Sequence, residues 1–176
     1  MKEAEVSIRV ALYFIRNNIT NENVRISIDG AHIKTNDTIH FDIRNFLKEN
    51  GCKKIDENDM RWQGSYEVMG YKSKMEISSQ PGIGDVRIIL PTGFILHIES
   101  KKGSNKKGNT EYSLMREAIG QLMTTEYESE KIIPTVAVPY SPKSYELAKR
   151  WINYKKIQDT NIHFILVQEN GEIINI

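Results

Sequence analysis

Two consecutive apolar strands with polar residues at their ends form the most constraining feature of this 176-residue sequence. Asp85–Leu90 predicts the first strand, Pro91-Thr92-Gly93 predicts a turn, and residues 94–101 predict the second strand. Because successive side chains of a strand point to opposite faces, Glu99 and Lys101 should lie on the same face of this hairpin. The hairpin therefore carries polar groups at one end, and its apolar residues need further layers to cover them.

The residues after the hairpin indicate a parallel pair of strands. Apolar residues recur at helical spacing in 112–126, which predicts a helix, and 132–138 predicts a short strand. A helix over 142–154, with a proline at its start, leads to a last strand over 162–167. A strand, a helix and a strand in this order are typical of parallel strands joined by a crossover helix.

The residues before the hairpin are less regular. Residues 3–17 predict a helix, although part of that segment also alternates as a strand does. Within 18–80, Asp29-Gly30 predicts a tight hairpin, 41–50 predicts a helix, and Gly70 predicts a turn between two strands. The expected fold class is α/β, with a central mixed β-sheet flanked by helices. We expect the whole chain to form one domain, with 18–80 as an inserted or elaborated segment.

The composition excludes several classes of protein. The chain has 24 basic and 23 acidic side chains, and its net charge of +1 argues neither for nor against nucleic acid. Its single cysteine, Cys52, cannot form an internal disulfide, which favours a reducing compartment. No segment reaches the roughly 20 apolar residues that span a bilayer, and the acidic first residues do not resemble a signal peptide. We therefore expect a cytoplasmic protein without membrane association.

Four residues carry a resemblance to a known family. Asp85 stands at the start of the first hairpin strand, and Glu99-Ser100-Lys101 stand at the end of the second. Over residues 85–138 and the opening helix, the sequence resembles the core of the PD-(D/E)XK nuclease superfamily, the restriction endonuclease-like fold. Gly84 stands where the family motif has a proline. The resemblance implies that Asp85 and Glu99 bind Mg²⁺, for which Mn²⁺ can substitute, and that Lys101 activates or orients water at the scissile phosphate.

The chemistry of phosphodiester hydrolysis calls for these residue types. A phosphodiester is an anion, so two carboxylates help only by holding a divalent cation, and Mg²⁺ prefers oxygen ligands and retains several waters. The backbone carbonyl of Ser100 can complete the ligands that the protein supplies. Glu99 is the only one of 23 acids followed two positions later by a lysine, but the hairpin around this pair carries more weight than the spacing. The alternative is an exposed ion pair between Glu99 and Lys101, with Asp85 as a turn residue.

Two helices offer further candidates. Continuing the apolar stripe of the first helix backwards from Ile8 reaches Glu5, where the resemblance implies a glutamate beside the metal. The alternative is a solvated helix end in which Glu5 pairs with Arg9. On the helix after the hairpin, Gln121 matches a glutamine that family members place near the attacking water or the DNA backbone, and the alternative is a surface amide. Glu117, one turn earlier on the same face, is a weaker candidate.

The expected function is that of a Mg²⁺-dependent DNA endonuclease, of restriction type. The segment between the first helix and the hairpin is longer than the family core needs, and inserted segments of this kind often contain the residues that recognise the DNA. Lys102, Lys106 and Lys107 lie in a basic loop that would contact the phosphates of double-stranded DNA. Cutting both strands requires two sites, so we expect a homodimer or a second catalytic or recognition subunit. The alternatives are a Holliday-junction resolvase or repair nuclease of the same fold, and a catalytically silent DNA-binding or regulatory subunit.

Overall fold

The computed structural model describes residues 1–80, 84–103, 110–127 and 129–176. The helices are α1 (Glu3–Arg16), α2 (Gly30–Ile33), α3 (Ile43–Glu49), α4 (Thr110–Met123), α5 (Pro142–Trp151) and α6 (Lys155–Asp159). The strands are β1 (Val24–Ser27), β2 (Lys34–Thr35), β3 (Thr38–Ile39), β4 (Cys52–Lys54), β5 (Gly64–Val68), β6 (Lys74–Ser78), β7 (Val86–Ile89), β8 (Ile95–Ser100), β9 (Ile132–Pro139), β10 (His163–Val167) and β11 (Ile173–Asn175).

Nine of the strands in the described ranges form one mixed sheet, in the order β11-β10-β9-β8-β7-β1-β6-β5-β4. Three neighbouring pairs are parallel, namely β1 with β6, β8 with β9 and β9 with β10. The remaining neighbours are antiparallel, and β2 and β3 form a separate two-stranded ribbon. The chain is a mixed α/β protein with a large central sheet flanked by helices.

Helices cover both faces of the middle of this sheet. The apolar residues of α1 share a core with Ile98 of β8 and Ala137 of β9 on one face. On the other face, α4 and α5 pack against Val136 of β9 and Phe164 of β10. Because side chains alternate along a strand, Ile98 faces α1 while Glu99 faces α4. None of the helices that the structure describes is both long and apolar enough to cross a membrane.

The predictions that rest on the clearest sequence patterns, the hairpin and the parallel pair with its crossover helix, are confirmed. β7 and β8 form an antiparallel hairpin in which Val86 lies opposite Ile98. β9 and β10 are parallel, and α5 lies between them in the chain as the crossover helix. α1, α3 and the turn at Gly70 between β5 and β6 also match the prediction. α4 ends at Met123, three residues before the predicted boundary, where the Thr124 hydroxyl donates to a carbonyl of the last turn.

The predicted hairpin at Asp29-Gly30 is wrong. β1 pairs with β6 and β7, and the residues after Asp29 form the short helix α2. The Asp29 carboxylate accepts a hydrogen bond from the Ala31 amide at 2.9 Å and thereby caps this helix. Aspartate followed by glycine suits both a tight turn and a helix start, so the dipeptide alone does not distinguish them.

Residues 18–80 extend the sheet beyond β1. Their strands β6, β5 and β4 follow one another on the side of β1 that is away from β8. Ile43 and Leu47 of α3 belong to the same buried core as α1. The segment that the sequence predicts to be inserted or elaborated therefore continues the sheet and shares its core. The sequence pattern does not predict the edge strands β4 and β11, since each is only three residues long.

Replacing Ile98 tests whether β8 is anchored by its α1-facing side. Ile98→Ala should lower the free energy of unfolding by about 2–5 kcal/mol, because the side chain is fully buried. Ile39→Ala is the control, since Ile39 on the β2–β3 ribbon is 66% exposed and should lose less than ~0.5 kcal/mol. Urea unfolding followed by circular dichroism measures both variants. Equal losses in the two would contradict the placement of Ile98.

Candidate active site

The ends of β7 and β8 bring Asp85 beside Glu99 and Ser100. The Asp85 amide donates to the Ile98 carbonyl at 2.8 Å, which continues the β7–β8 ladder by one residue. The Asp85 carboxylate accepts a hydrogen bond from the Ser100 amide, with 2.7 Å between Oδ2 and N. Asp85 is therefore tied to β8 through both its backbone and its side chain.

A cavity of about 390 Å³ lies at this end of the sheet. Asp85 and Glu99 line it together, and Gln121 of α4 lines it as well. The structure thus brings these sequence-predicted residues to one cavity. The other lining residues come from the end of β1, the segment after β6 and the residue before Asp85, and they are Ser27, Ile28, Asp29, Ser79, Gln80 and Gly84.

Lys101 lies beside the cavity with a buried ammonium group. Its side chain is only 5% exposed. The Nζ atom lies 3.1 Å from Glu99 Oε1 and 3.2 Å from Glu117 Oε1. The ion pair between Glu99 and Lys101 is therefore present, but it is buried rather than exposed, and Glu117 joins it from α4.

Burial and neighbouring charge shift the pKa values of all three residues. Burial, followed by the Glu99 carboxylate, raises the pKa of Asp85 to about 7, although the Ser100 amide and Lys101 favour the charged form. Burial also raises the pKa of Glu99, against the attraction of Lys101. Burial opposes the charge of Lys101, but the nearby carboxylates, Glu99 first, outweigh it and raise the pKa of the ammonium group. Lys101 is therefore charged at neutral pH, while the carboxylate of Asp85 takes up a proton far more readily than an exposed aspartate does.

The site carries an excess of negative charge that suits a divalent cation. Within the described part of the chain, Lys101 is the cation that opposes the carboxylates of Asp85 and Glu99. A divalent cation between two such carboxylates would favour their charged forms. Mg²⁺ needs only one or two protein carboxylates because it keeps several waters. The pair therefore fits Mg²⁺, although the described residues contain no group of three or more acids, histidines or cysteines that could hold a metal.

The charge of Glu3 on α1 affects the pKa values of the site acids, whereas the predicted Glu5 forms an ion pair with Arg9. The Glu3 side chain is 17% exposed. After burial and the nearer site residues, its charge contributes to the raised pKa values of Asp85 and Glu99. Glu5 forms an ion pair with Arg9 at 2.9 Å, which is the alternative that the sequence leaves open.

Burial of α1 on two faces explains why the sequence points to Glu5 first. The most obvious apolar stripe of this helix leads back to Glu5. A second buried stripe runs through Phe14, Val10 and Ser7, and its spacing leads back to Glu3. The presence of a serine in this second stripe hides it from an analysis of hydrophobic periodicity, but the spacing itself is readable from the sequence.

Gly84 and His97 form a tight contact next to Asp85. Gly84 has a φ of +75°, and a Cβ atom there would lie 2.3 Å from His97 Nε2. A positive φ excludes the proline of the family motif, and the contact excludes any larger residue unless His97 moves. Burial, followed by the charge of Arg87, lowers the pKa of His97 to about 4, so the imidazole is neutral at neutral pH.

Tyr127 is a site neighbour that sequence analysis misses. Its ring packs edge-on against the buried His97 ring, with 5.2 Å between the centroids. Burial, followed by the Glu99 carboxylate, raises the pKa of its phenol. Tyr127 lies in the irregular segment after α4, where no periodicity indicates which way a side chain points. No signal in the sequence would have identified it.

The predicted DNA-contacting lysines are described in part. Lys102 is exposed and follows β8 directly after Lys101. Lys106 and Lys107 lie outside the described residues, as do Pro81–Ile83 of the predicted turn. Gln121 is exposed at the rim of the cavity, so both interpretations of this residue, as a site amide and as a surface amide, remain open to experiment.

Comparison with known proteins identifies no relative. No family model matches the chain, and neither a curated protein nor a solved structure matches it significantly. Function must therefore be inferred from the geometry and charge of Asp85, Glu99 and Lys101.

The raised pKa of Asp85 predicts a pH-dependent stability. Its folded-state pKa of about 7 exceeds the ordinary value of 3.8, so the native state binds more protons between these values and stability falls as pH rises through them. Asparagine keeps an acceptor for the Ser100 amide without the charge. In EDTA, Asp85→Asn should therefore raise the free energy of unfolding by about 2–4 kcal/mol at pH 8 and by almost nothing near pH 4.

Urea unfolding at several pH values measures this difference. Asp37→Asn is the control, because Asp37 lies exposed in the turn between β2 and β3. The change in the free energy of unfolding that Asp37→Asn causes should be the same in acid and in alkaline solution. If Asp85→Asn also gave the same change in stability at both ends of the range, its carboxylate would not be buried as described.

Proposed function

We propose that this chain is a Mg²⁺-dependent endonuclease that hydrolyses phosphodiester bonds of double-stranded DNA, on a restriction endonuclease-like core. One arrangement carries the proposal: Asp85 and Glu99 line the same cavity, and the buried Lys101 lies 3.1 Å from Glu99. The order of elements supports it, since α1, the β7–β8 hairpin, α4 and the parallel strand β9 follow one another as the PD-(D/E)XK resemblance implies.

Each residue of the site would have a separate role in hydrolysis. Asp85 and Glu99 would hold Mg²⁺ through their carboxylate oxygens, and the carbonyl of Ser100 faces the same side because its amide bonds to Asp85. When bound, Mg²⁺ supplies positive charge at the phosphate and a water of lowered pKa. Lys101 orients the attacking water and neutralises charge that develops on the phosphate. The Gln121 amide, at the rim, donates a hydrogen bond to a phosphate oxygen.

The segment of residues 18–80 supports a restriction-type enzyme. Asp29, Ser79 and Gln80 of this segment line the cavity beside Asp85. DNA bound at Asp85 would therefore contact this segment, so residues of the segment could recognise bases next to the cleavage site. Cutting both strands requires a second site, which a second copy of the chain or a partner subunit would supply.

Cleavage of DNA tests the proposal directly. The purified protein should cut long double-stranded DNA in Mg²⁺ and leave it intact in EDTA. Asp85→Asn and Lys101→Met should each slow cleavage by about a hundredfold or more, because each removes a charge that acts on the reacting groups. Gel electrophoresis over a time course measures the rates, and circular dichroism shows whether each variant is folded.

Matched controls come from the other end of the sheet. Glu67 and Lys74 lie 3.7 Å apart on β5 and β6, away from the cavity. Glu67→Gln and Lys74→Met should leave the cleavage rate unchanged. Cleavage that persists in EDTA or in Asp85→Asn would overturn the proposal. Mg²⁺-independent DNA binding with no cleavage would instead favour the catalytically silent alternative.

Binding of Mg²⁺ can be tested without DNA. A cation that binds only the folded state stabilises it, and a concentration tenfold above Kd contributes about 1.4 kcal/mol. For a chain of this size the gain should raise the Tm by about 3–6 °C. Asp85→Asn should lose most of this shift because it removes one of two carboxylate ligands. Differential scanning fluorimetry measures the Tm shift, with KCl of equal ionic strength as the reference. Equal shifts in the wild type and in Asp85→Asn would contradict the assigned ligands.

A further inference from the structure

We propose that Glu117 of α4 is the positioning residue for Lys101, which it holds at the site from the solvent side. The catalytic meaning of this inference rests on the proposed function. The contact itself does not, because it can be measured on the protein without DNA.

Lys101 has two carboxylate partners, and they come from different elements. Glu99 lies on the same strand as Lys101, and its side chain is 11% exposed. Glu117 lies on α4, and its side chain is 58% exposed. The distances to Nζ are nearly equal, at 3.1 and 3.2 Å. Lys101 therefore bridges the sheet and the helix that covers it.

The two partners have different tasks at the proposed site. Glu99 lines the cavity with Asp85, whereas Glu117 is absent from the described residues that line it. A divalent cation bound to Glu99 would compete with Lys101 for the charge of that carboxylate. Glu117 would then be the partner that Lys101 retains. Because an unpaired ammonium group is unfavourable in a buried position, loss of Glu117 would let Lys101 turn away from the site.

α4 links this contact to the cavity rim. Glu117 and Gln121 are four residues apart, so they lie on the same face of the helix. Glu117 contacts Lys101 while Gln121 lines the cavity. The packing of α4 on β8 therefore sets the positions of both side chains together. Since Glu117 is largely exposed, its replacement leaves the buried cores unchanged.

Kinetics of Glu117 variants test the catalytic consequence. Glu117→Ala should lower kcat about tenfold while KM for DNA and the Mg²⁺ requirement stay nearly constant, because only the orientation of Lys101 changes. Glu117→Gln keeps an oxygen acceptor without the charge and should recover part of the loss. The matched controls are Glu146→Ala and Glu146→Gln, since Glu146 is a helix acid of similar exposure, 56%, that pairs with Lys143 on α5. Both should retain the full kcat.

Chemical reactivity of Lys101 gives a readout that needs no cleavage. In the wild type, acetylation by acetic anhydride should be slow at Lys101, whose side chain is 5% exposed. In Glu117→Ala it should become several-fold faster, as measured by peptide mass spectrometry. Lys74, whose side chain is 41% exposed, should react equally in both proteins.

The outcomes separate this inference from the proposed function. If the wild type cleaves DNA and Glu117→Ala has the same kcat, the role of Glu117 is overturned and the proposed function stands. If the wild type does not cleave but Lys101 becomes reactive in Glu117→Ala, the nuclease is overturned and the positioning contact stands. Unchanged reactivity of Lys101 in Glu117→Ala overturns the positioning contact in either case.

Discussion

A buried ammonium group between carboxylates is the interaction on which the polar end of the sheet depends. Lys101 lies within hydrogen-bond distance of both Glu99 and Glu117. Burial favours the neutral form of Glu99, and Lys101 opposes that effect. Neither charge would be stable alone at this depth, since an unpaired buried ion is strongly unfavourable. Glu99 and Lys101 therefore have to occur together, and their spacing of two residues at the end of β8 puts them on the same face.

The apolar side of the same strand determines where these charges lie. Ile98 of β8 and Val86 of β7 are fully buried against α1. Alternation then places Glu99 and Lys101 on the α4 side, together with Asp85 at the start of the hairpin. A slip of one residue in the register would exchange the two sets and bury the charges in the apolar core. The hydrophobic core on one face thus sets the geometry of the polar site on the other.

Local patterns predict the parts of the fold that local forces determine. The β7–β8 hairpin, the crossover helix α5 and the sharing of a face by Glu99 and Lys101 follow from alternation and helical spacing, and the structure has them. The roles of Glu3 and Tyr127 depend on how α1 and the segment after α4 pack over the sheet. Such contacts join residues far apart in the sequence. Helical spacing can place Glu3 on a buried stripe of α1, but no local period reports which strands that stripe covers. Asp29 shows a different limit, because its residue type suits both a turn and a helix cap.

The charge of the carboxylate pair also determines how the proposed site would meet a phosphate. A cavity lined by Asp85 and Glu99 repels a phosphate group while both acids are charged. With its pKa of about 7, Asp85 is poised so that a small electrostatic change decides whether it is ionised at neutral pH. A divalent cation held by Asp85 and Glu99 would favour the ionised form and would neutralise the two carboxylates that otherwise repel a phosphate. Under the proposed function, a cation held by Asp85 and Glu99 would therefore favour the approach of a phosphate to Lys101.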